Sequence, residues 1–510
     1  MFLTGLLWTS SPAIAQQLPA GDSLYHYSIP YNAVQRQFLN ITSLVADSSF
    51  KEIGILQADF QQQKGAYHTA QQPYQSRIAT LYTEGIKQLD KFRVAGRFRI
   101  NRQWDDSLAN NLNGIFDDAA PYTYFATKAA KYERQNYVFN ALAAYHAGSK
   151  IDVGLGLDYN YHWTTGSVDP RPSVKELNYI FKPELTWKAG RHRLGIQGDI
   201  GRGNETSNIK YKNANFGLSL LYPERIYYLN YGYGYISIKD QSINQRDQKY
   251  SGLHINHDWS SARWRINSTL YYQRKKEYNK REREVDTRPN LGIFSTWTLH
   301  DYGADVFIVK KSSVGVQQLI VKGLIQDGFD WDSTFNANNY QYHHHRISAG
   351  YTIQLSRQQP LGWEYGVGVL YDNVEKKDLL QAHHVQYSYL QPNVHIGAYC
   401  TWDKTERLAA KLTPSMRFPL ETYISVPSTQ ENIFTQHIVY PDYYYWSSRV
   451  FQCSLELNYI SGKILKTTPA GLFGRCAFSR QLDVSTKVLN TAYQPGKDLF
   501  DIQFGFRIYL

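Results

Sequence analysis

Hydrophobic and polar residues alternate one by one along most of this chain, and the alternation predicts β-strands from end to end. In residues 151–163 the odd positions are Ile151, Val153, Leu155, Leu157, Tyr159, Tyr161 and Trp163, and the even ones are Asp152, Gly154, Gly156, Asp158, Asn160 and His162. Successive side chains of a strand point to opposite faces, so one face is apolar with an aromatic end and the other is polar or glycine. The pattern recurs where Phe92, Val94, Phe98 and Ile100 oppose Arg93, Arg97, Arg99 and Asn101, and where Leu194, Ile196 and Ile200 oppose Arg193, Gln197 and Asp199. It recurs again where Trp264, Ile266, Leu270 and Tyr272 oppose Arg265, Asn267, Thr269 and Gln273. At the end of the chain Phe500, Ile502, Phe504, Phe506, Ile508 and Leu510 oppose Asp501, Gln503 and Arg507. Strands of soluble antiparallel sheets run about five or six residues. The longest runs here are about twice that, the length and pattern of a strand that crosses a membrane in a barrel.

Short turns are expected around Leu89-Asp90, Gly148-Ser149, Ala189-Gly190, Pro223-Glu224, Ser260-Ser261, Asp301-Tyr302, Gln358-Pro360, Asp403-Thr405 and Ser461-Gly462. Longer polar segments lie around and between them, among them 104–131, 201–209, 313–344, 419–448 and 482–497. The expectation is an all-β fold: a single large antiparallel transmembrane β-barrel over residues 52–510, with short periplasmic turns and long external loops. Both termini then lie on the periplasmic side. Nine short turns give 20 strands, within a range of 16–20 because the alternation is weak at 52–60 and Val314–Asp327 is read as loop despite its apolar residues. A ring of that size, on the order of 40 Å across, encloses more space than inward side chains fill. Segment 104–131, 313–344, 419–448 or the N-terminal segment is therefore expected to fold inward. Segment 313–344 is the first candidate, because Val316, Leu319, Ile320, Val321 and Leu324 need an apolar cover. Segment 419–448 is the second, its Tyr443, Tyr444, Tyr445 and Trp446 reading equally as part of an interfacial girdle.

Composition narrows the picture further. Of 510 residues 15% are aromatic, including 42 Tyr, and 19% are charged, which excludes intrinsic disorder. No run reaches the roughly 18 apolar residues of a spanning helix. Residues 2–15 form a short apolar stretch ending in Ala13-Ile14-Ala15, so 1–15 reads as a signal peptide, although no Lys or Arg precedes the apolar core. Residues 16–51 are then a periplasmic or lumenal segment, too short for a folded plug domain and long enough for a hatch or a docking tail. Cys400, Cys453 and Cys476 are odd in number, widely spaced and on apolar faces, so they read as small hydrophobes.

The last eight residues, Gln503-Phe504-Gly505-Phe506-Arg507-Ile508-Tyr509-Leu510, resemble the C-terminal assembly signal of outer-membrane barrels. The matching positions are Gln503, Gly505, Ile508 and Leu510, with Leu where Phe is more usual. The resemblance implies that the last strand is presented to the outer-membrane assembly machinery and closes the barrel against the first. In architecture the chain resembles an uncharacterised family of Bacteroidota-type outer-membrane β-barrel proteins that accompany TonB-dependent importers. That resemblance implies the cell outer membrane, contact with its lipid and lipopolysaccharide, and a TonB-dependent importer or surface lipoprotein as the partner to look for.

The net charge is +11, and Lys91, Arg93, Arg97 and Arg99 read as a basic row on one lumen face, with Arg265, Lys411, Arg417 and Arg475 on other strands. Such a row either favours anionic solutes or pairs with Asp152, Asp158, Glu184, Asp199 and Asp501 across the interior; the second reading is preferred. The run Arg274–Glu284 reads as a solvated tip facing lipopolysaccharide rather than a nucleic-acid site. His343-His344-His345 alternate in direction on an extended chain and do not read as a metal site. Asp105-Asp106 and Asp117-Asp118 read as turn formers in an external loop. No nucleophile motif, phosphate loop or cofactor fingerprint is present, so the expectation is a barrel associated with transport of a nutrient or other solute, its lumen occluded by loops, and not an enzyme. The alternative is an accessory subunit of a larger outer-membrane complex.

Overall fold

Each alternating segment pairs with the next by an antiparallel ladder, and the last pairs back onto the first. The computed structural model describes residues 28–36, 38–46, 52–239, 242–283, 290–355, 361–402, 406–465 and 468–510. In chain order the strands are β1 (Glu52–Gly65), β2 (Gln75–Leu89), β3 (Phe92–Leu108), β4 (Tyr122–Phe125), β5 (Ala130–His146), β6 (Ile151–Gly166) and β7 (Arg171–Ala189). Next come β8 (His192–Lys210), β9 (Tyr227–Tyr231), β10 (Tyr235–Lys239), β11 (Ser242–Ser260), β12 (Trp264–Arg283), β13 (Asn290–Lys311) and β14 (Gly315–Asp332). The rest are β15 (Tyr340–Leu355), β16 (Leu361–Asp378), β17 (His383–Thr401), β18 (Glu406–Ser425), β19 (Val450–Leu465), β20 (Thr468–Gln481) and β21 (Asp498–Tyr509). All but β4, β9 and β10 form one 18-stranded sheet, and the pairing of β1 with β21 closes it into a barrel.

The closed ring has 18 strands rather than 20, for identifiable reasons. Pro223-Glu224 is not a hairpin turn; it opens a short 3₁₀ helix in the long connection between β8 and β11. Asp301-Tyr302 lies in the middle of β13, where Tyr302 pairs with Tyr272 and Ile325. The turn that the alternation hid is at residues 312–314, so Val314–Asp327 is mostly wall strand β14 and not loop. Ser461-Gly462 remains within β19, at a register irregularity against β20. Segment 201–209 likewise belongs to β8. The turns expected at Gln358-Pro360 and Asp403-Thr405, the signal peptide and Glu284 lie outside the described residues.

Burial follows the alternation in an inverted sense. On the outer face Ile151, Leu155, Ile196 and Ile200 are 44%, 55%, 60% and 68% exposed, whereas inward Asp152, Glu364 and Arg93 are at most 1% exposed. Cys400, Cys453 and Cys476 are unpaired thiols, Cys476 being exposed. The packed cores lie inside the ring. At the end where β1 begins, helices α1 (Ser28–Arg36) and α2 (Ser43–Ala46) sit against the inner wall, Val34, Ile41 and Leu44 packing with Ile53, Ile86, Leu142 and Ile460. At the other end β4, β9 and β10 form a three-stranded inner sheet. A π-helical turn (Thr435–Val439) runs into α3 (Tyr440–Trp446), and Phe434, Ile438, Tyr440 and Tyr444 join the wall residues Trp297, Tyr340 and Tyr387 in the largest cluster. Trp446 stacks on Tyr387 at 4.5 Å, so these aromatics belong to the interior and not to an outer girdle.

Segment 313–344, the favoured inward loop, therefore supplies wall: Val316 to Leu324 pair with Lys311 to Gly303 on one side. The inward segments are instead 109–129, 226–239 and 426–449, which carry the Tyr-rich clusters.

Candidate functional site

The inner wall and the segment 28–46 meet through a set of polar contacts that encircle the ring. Ser28 donates to Glu364 on β16 (2.6 Å), Asn32 to Gln318 on β14 (2.8 Å), and Arg36 is ion-paired with Asp305 on β13. Past α1, Asn40 donates to Asp258 on β11 (3.1 Å). Glu184 on β7 accepts the backbone N–H groups of Ile41 (2.7 Å) and Thr42 (3.3 Å) together with the Thr42 hydroxyl (3.1 Å). Arg93 and Arg193 donate to the carbonyl oxygens of Leu44 (2.8 Å) and Thr42 (2.7 Å). Gly154 and Gly156 on β6 make the approach possible: a Cβ on either would come within 2.8 and 2.9 Å of the Ile41 side chain. The glycines in the polar row of residues 151–163 thus mark where the helical segment touches the wall, a signal that alternation alone does not expose.

Above α1 lies a chamber of about 860 Å³, bounded by the inner faces of β17 to β21 and of β1, β2, β3 and β5 and floored by Ser28, Tyr31, Asn32 and Gln35. Its charged lining is Arg97, Arg99, Lys411, Arg475 and Arg507 against Asp59 and Glu456. Arg97 pairs with Glu84 (2.5 Å), bonds to Gln35 and lies over the Phe38 ring. Arg99 lies over the Tyr82 ring at 5.2 Å. Arg507 lies over the Phe473 ring at 4.8 Å and donates to Gln57 (2.8 and 3.0 Å).

Of the basic row read from the sequence, Arg97 and Arg99 reach this chamber, Arg93 reaches α2, and Lys91 is exposed in the turn between β2 and β3. None of them is ion-paired with the five acids expected across the interior. Asp152 takes His146, Lys188 and Arg193; Asp158 takes Lys182; Asp199 takes His254; Asp501 accepts from Gln61; and Glu184 holds residues 41–42. Lys411, Arg475 and Arg507 come from strands far away in sequence, and only closure of the ring brings them to Arg99.

The C-terminal residues lie at that closure. Gln503 faces inward and donates to Asp59 (2.9 Å). Gly505 opposes Asp59, where a Cβ would meet the Phe473 ring at 2.4 Å. Ile508 pairs with Leu56, and Leu510 exchanges backbone hydrogen bonds with Gly54 (2.8 and 3.1 Å).

The remaining candidates act as fasteners. Asp117 and Asp118, expected as turn formers, reach wall cations: Asp117 pairs with Lys275 (3.2 Å) and Asp118 with Lys376 (2.5 Å). Asp117 also accepts from the Ala119 N–H, an Asx turn. Asp105 is not in a loop but on β3, buried and paired with Arg134 (2.8 Å). His343 and His344 bond to different carboxylates, Asp327 and Asp372, and among the described residues no group of three metal-ligating side chains gathers.

A family of unknown function, DUF6850, matches residues 42–510. No curated protein matches the sequence. Among solved structures the chain is similar to the siderophore receptor PiuA from Acinetobacter baumannii, at 8% identity over 89% of this chain and 81% of that one, with a TM-score of 0.39. It is also similar to the ferric-catecholate import receptor Fiu from E. coli K12, at 8% identity over 89% and 81%, with a TM-score of 0.40. Likenesses this distant say nothing of what this chain binds.

Proposed function

We propose, for a chain that belongs to this family of unknown function, that it is an integral outer-membrane barrel through which a solute passes. One observation carries the reading: a closed ring with an apolar, exposed outer face and a charged interior. Water would not tolerate the outer face of such a ring, and a bilayer satisfies it, because closure leaves no unpaired strand edge. The short-turn end then faces the periplasm, with residues 28–46 as a resident plug. The inward segments 109–129, 226–239 and 426–449 cap the other end. Lipid and lipopolysaccharide are its surroundings, and the assembly machinery reads the C-terminal strand.

The resting state in this reading is closed, and passage requires plug and cap to move. The accessory-subunit reading shares the same closed state but never opens, so conductance separates them. Intact protein in planar bilayers is expected to be silent. A variant without residues 28–46, and with 109–129, 211–239 and 428–447 replaced by short Gly-Ser turns, is expected to carry a steady current. Steady current from the intact chain would overturn the closed state. Silence from the stripped variant, once shown to be inserted and heat-modifiable, would overturn transport and leave the accessory role.

A further inference from the structure

Many cations inside the ring meet a carboxylate, although buried Arg417 is held instead by the Tyr67 hydroxyl and the Tyr445 carbonyl. Arg97 has Glu84, Arg134 has Asp105, Arg193 has Asp152, Lys275 has Glu277 and Lys376 has Asp118. Two arginines that face the open chamber also lack one. The Arg99 guanidinium lies on Tyr82, and that of Arg507 lies on Phe473 with hydrogen bonds to Gln57 and to the Tyr509 hydroxyl (3.4 Å). No ion pair joins either of them to a carboxylate among the described residues. Nearby, Nε of Arg475 has no hydrogen-bond partner, and its closest carboxylate, Glu456, stands 3.9 Å away. Asp59, the other acid of the lining, is taken by Gln57 and Gln503.

Register explains why these groups converge. Arg99 pairs with Tyr82, Tyr82 with Gln57, and Gln57 with Arg507, so the two arginines stand in one row across β3, β2, β1 and β21. Three strand steps of about 4.8 Å put their backbones roughly 14 Å apart along the wall. The wall is concave toward the chamber, so the side chains close part of that distance. A second row runs Lys411, Glu456, Arg475, Gln503 and Gln61 beside it. With Arg97 neutralised by Glu84 and Lys411 facing Glu364 at 4.0 Å, the remaining cations of the lining are Arg99, Arg475 and Arg507 against Asp59 and Glu456, an excess of one positive charge.

We infer that this chamber is a binding site for a small polyanion bearing carboxylate or phosphate oxygens, gripped by Arg99 and Arg507. A guanidinium offers a planar fork that matches such an oxyanion with two parallel hydrogen bonds. Rings beneath both guanidiniums fix their planes while leaving donor edges open. Arg475 supplies a third donor, and the amides of Asn101, Asn140, Asn458 and Gln503 line the same space for hydroxyl or carbonyl groups of the solute. The site identifies a substrate class for the proposed conduit and rests on that reading for its physiological meaning, though not for its chemistry. Its floor is α1, so an occupant of the chamber touches the plug through Asn32 and Gln35.

The test is equilibrium dialysis of the detergent-solubilised full chain with labelled citrate and with inorganic phosphate at low ionic strength, with choline and glucose as controls. Saturable citrate or phosphate binding is expected, with neither control retained. The double variant Arg99→Gln, Arg507→Gln is expected to bind at least tenfold more weakly while remaining heat-modifiable. Arg449→Gln, which removes an exposed arginine paired with Asp483, is expected to bind as the parent does. Absence of saturable anion binding, or equal binding by the double variant, would overturn the inference. Because dialysis needs no passage, binding by a chain whose stripped form carries no current would keep the anion site and sink the conduit. Current without anion binding would do the reverse.

Discussion

At the scale of single residues, the interior is organised by side chains that join one element to another. Asp442 on α3 accepts the backbone N–H of Ala70 in the connection between β1 and β2 (2.7 Å), tying two inward segments together. Burial pushes its carboxyl up to about 7, opposed by the Ala70 N–H and by Lys376, with Asp118 adding to the rise. The folded value thus lies above the unfolded value of about 4. The folded state keeps a proton that the unfolded state gives up, so this contribution is full below pH ~4 and is lost as pH rises through about 7. Amide exchange at Ala70, corrected for its intrinsic rate, is expected to be better protected at pH 5 than at pH 8. Asp442→Asn keeps the accepting oxygen and should remove most of that difference. An unchanged pH dependence in the variant would show that another group governs the contact.

At the scale of elements, the closing strand pair concentrates the consequences. Ile508, Tyr509 and Leu510 face Leu56, Ile55 and Gly54 on β1. Deleting them strips the final ladder bonds from the seam and leaves groups on β1 and β20 that a bilayer cannot satisfy, each costing several kcal/mol. The expected outcome is loss of heat-modifiable, membrane-inserted protein. Normal insertion of the truncated chain would show that the match at Gln503, Gly505, Ile508 and Leu510 to an assembly signal is accidental.

At the scale of the whole molecule, the inverted distribution of polarity governs stability. Ile196 projects from β8 between the outward Leu194 and Ile200, paired with Ile255 and Leu185, on a face with no covering layer. Ile196→Arg is expected to destabilise the lipid-inserted barrel by about 2–4 kcal/mol, as a cation does near the bilayer midplane. Urea titration of refolding into vesicles measures it. A cost near zero would place Ile196 at the interface or outside the bilayer, and would shift the proposed belt along the strands.

Much of this architecture is legible in the alternation, because a strand has only two faces and a one-residue error would invert every side chain on it. Thus Phe98, Ile151 and Ile196 point outward and Asp152, Arg97 and Gln503 inward, as their positions in the pattern require. Strand number was less legible: a polar pair such as Asp301-Tyr302 within a strand looks the same as a turn, while the turn at 312–314 sits inside a run whose apolar residues belong to two strands. What the sequence by itself determined is the class of fold and the side on which each residue stands, since both follow from local geometry. Which segments fill the ring, that Glu184 holds Thr42, and that Arg99 and Arg507, some four hundred residues apart, line one chamber were decided only by the tertiary structure. Those contacts depend on where the ring closes and on how much space it leaves, and neither quantity is a property of any local stretch of chain.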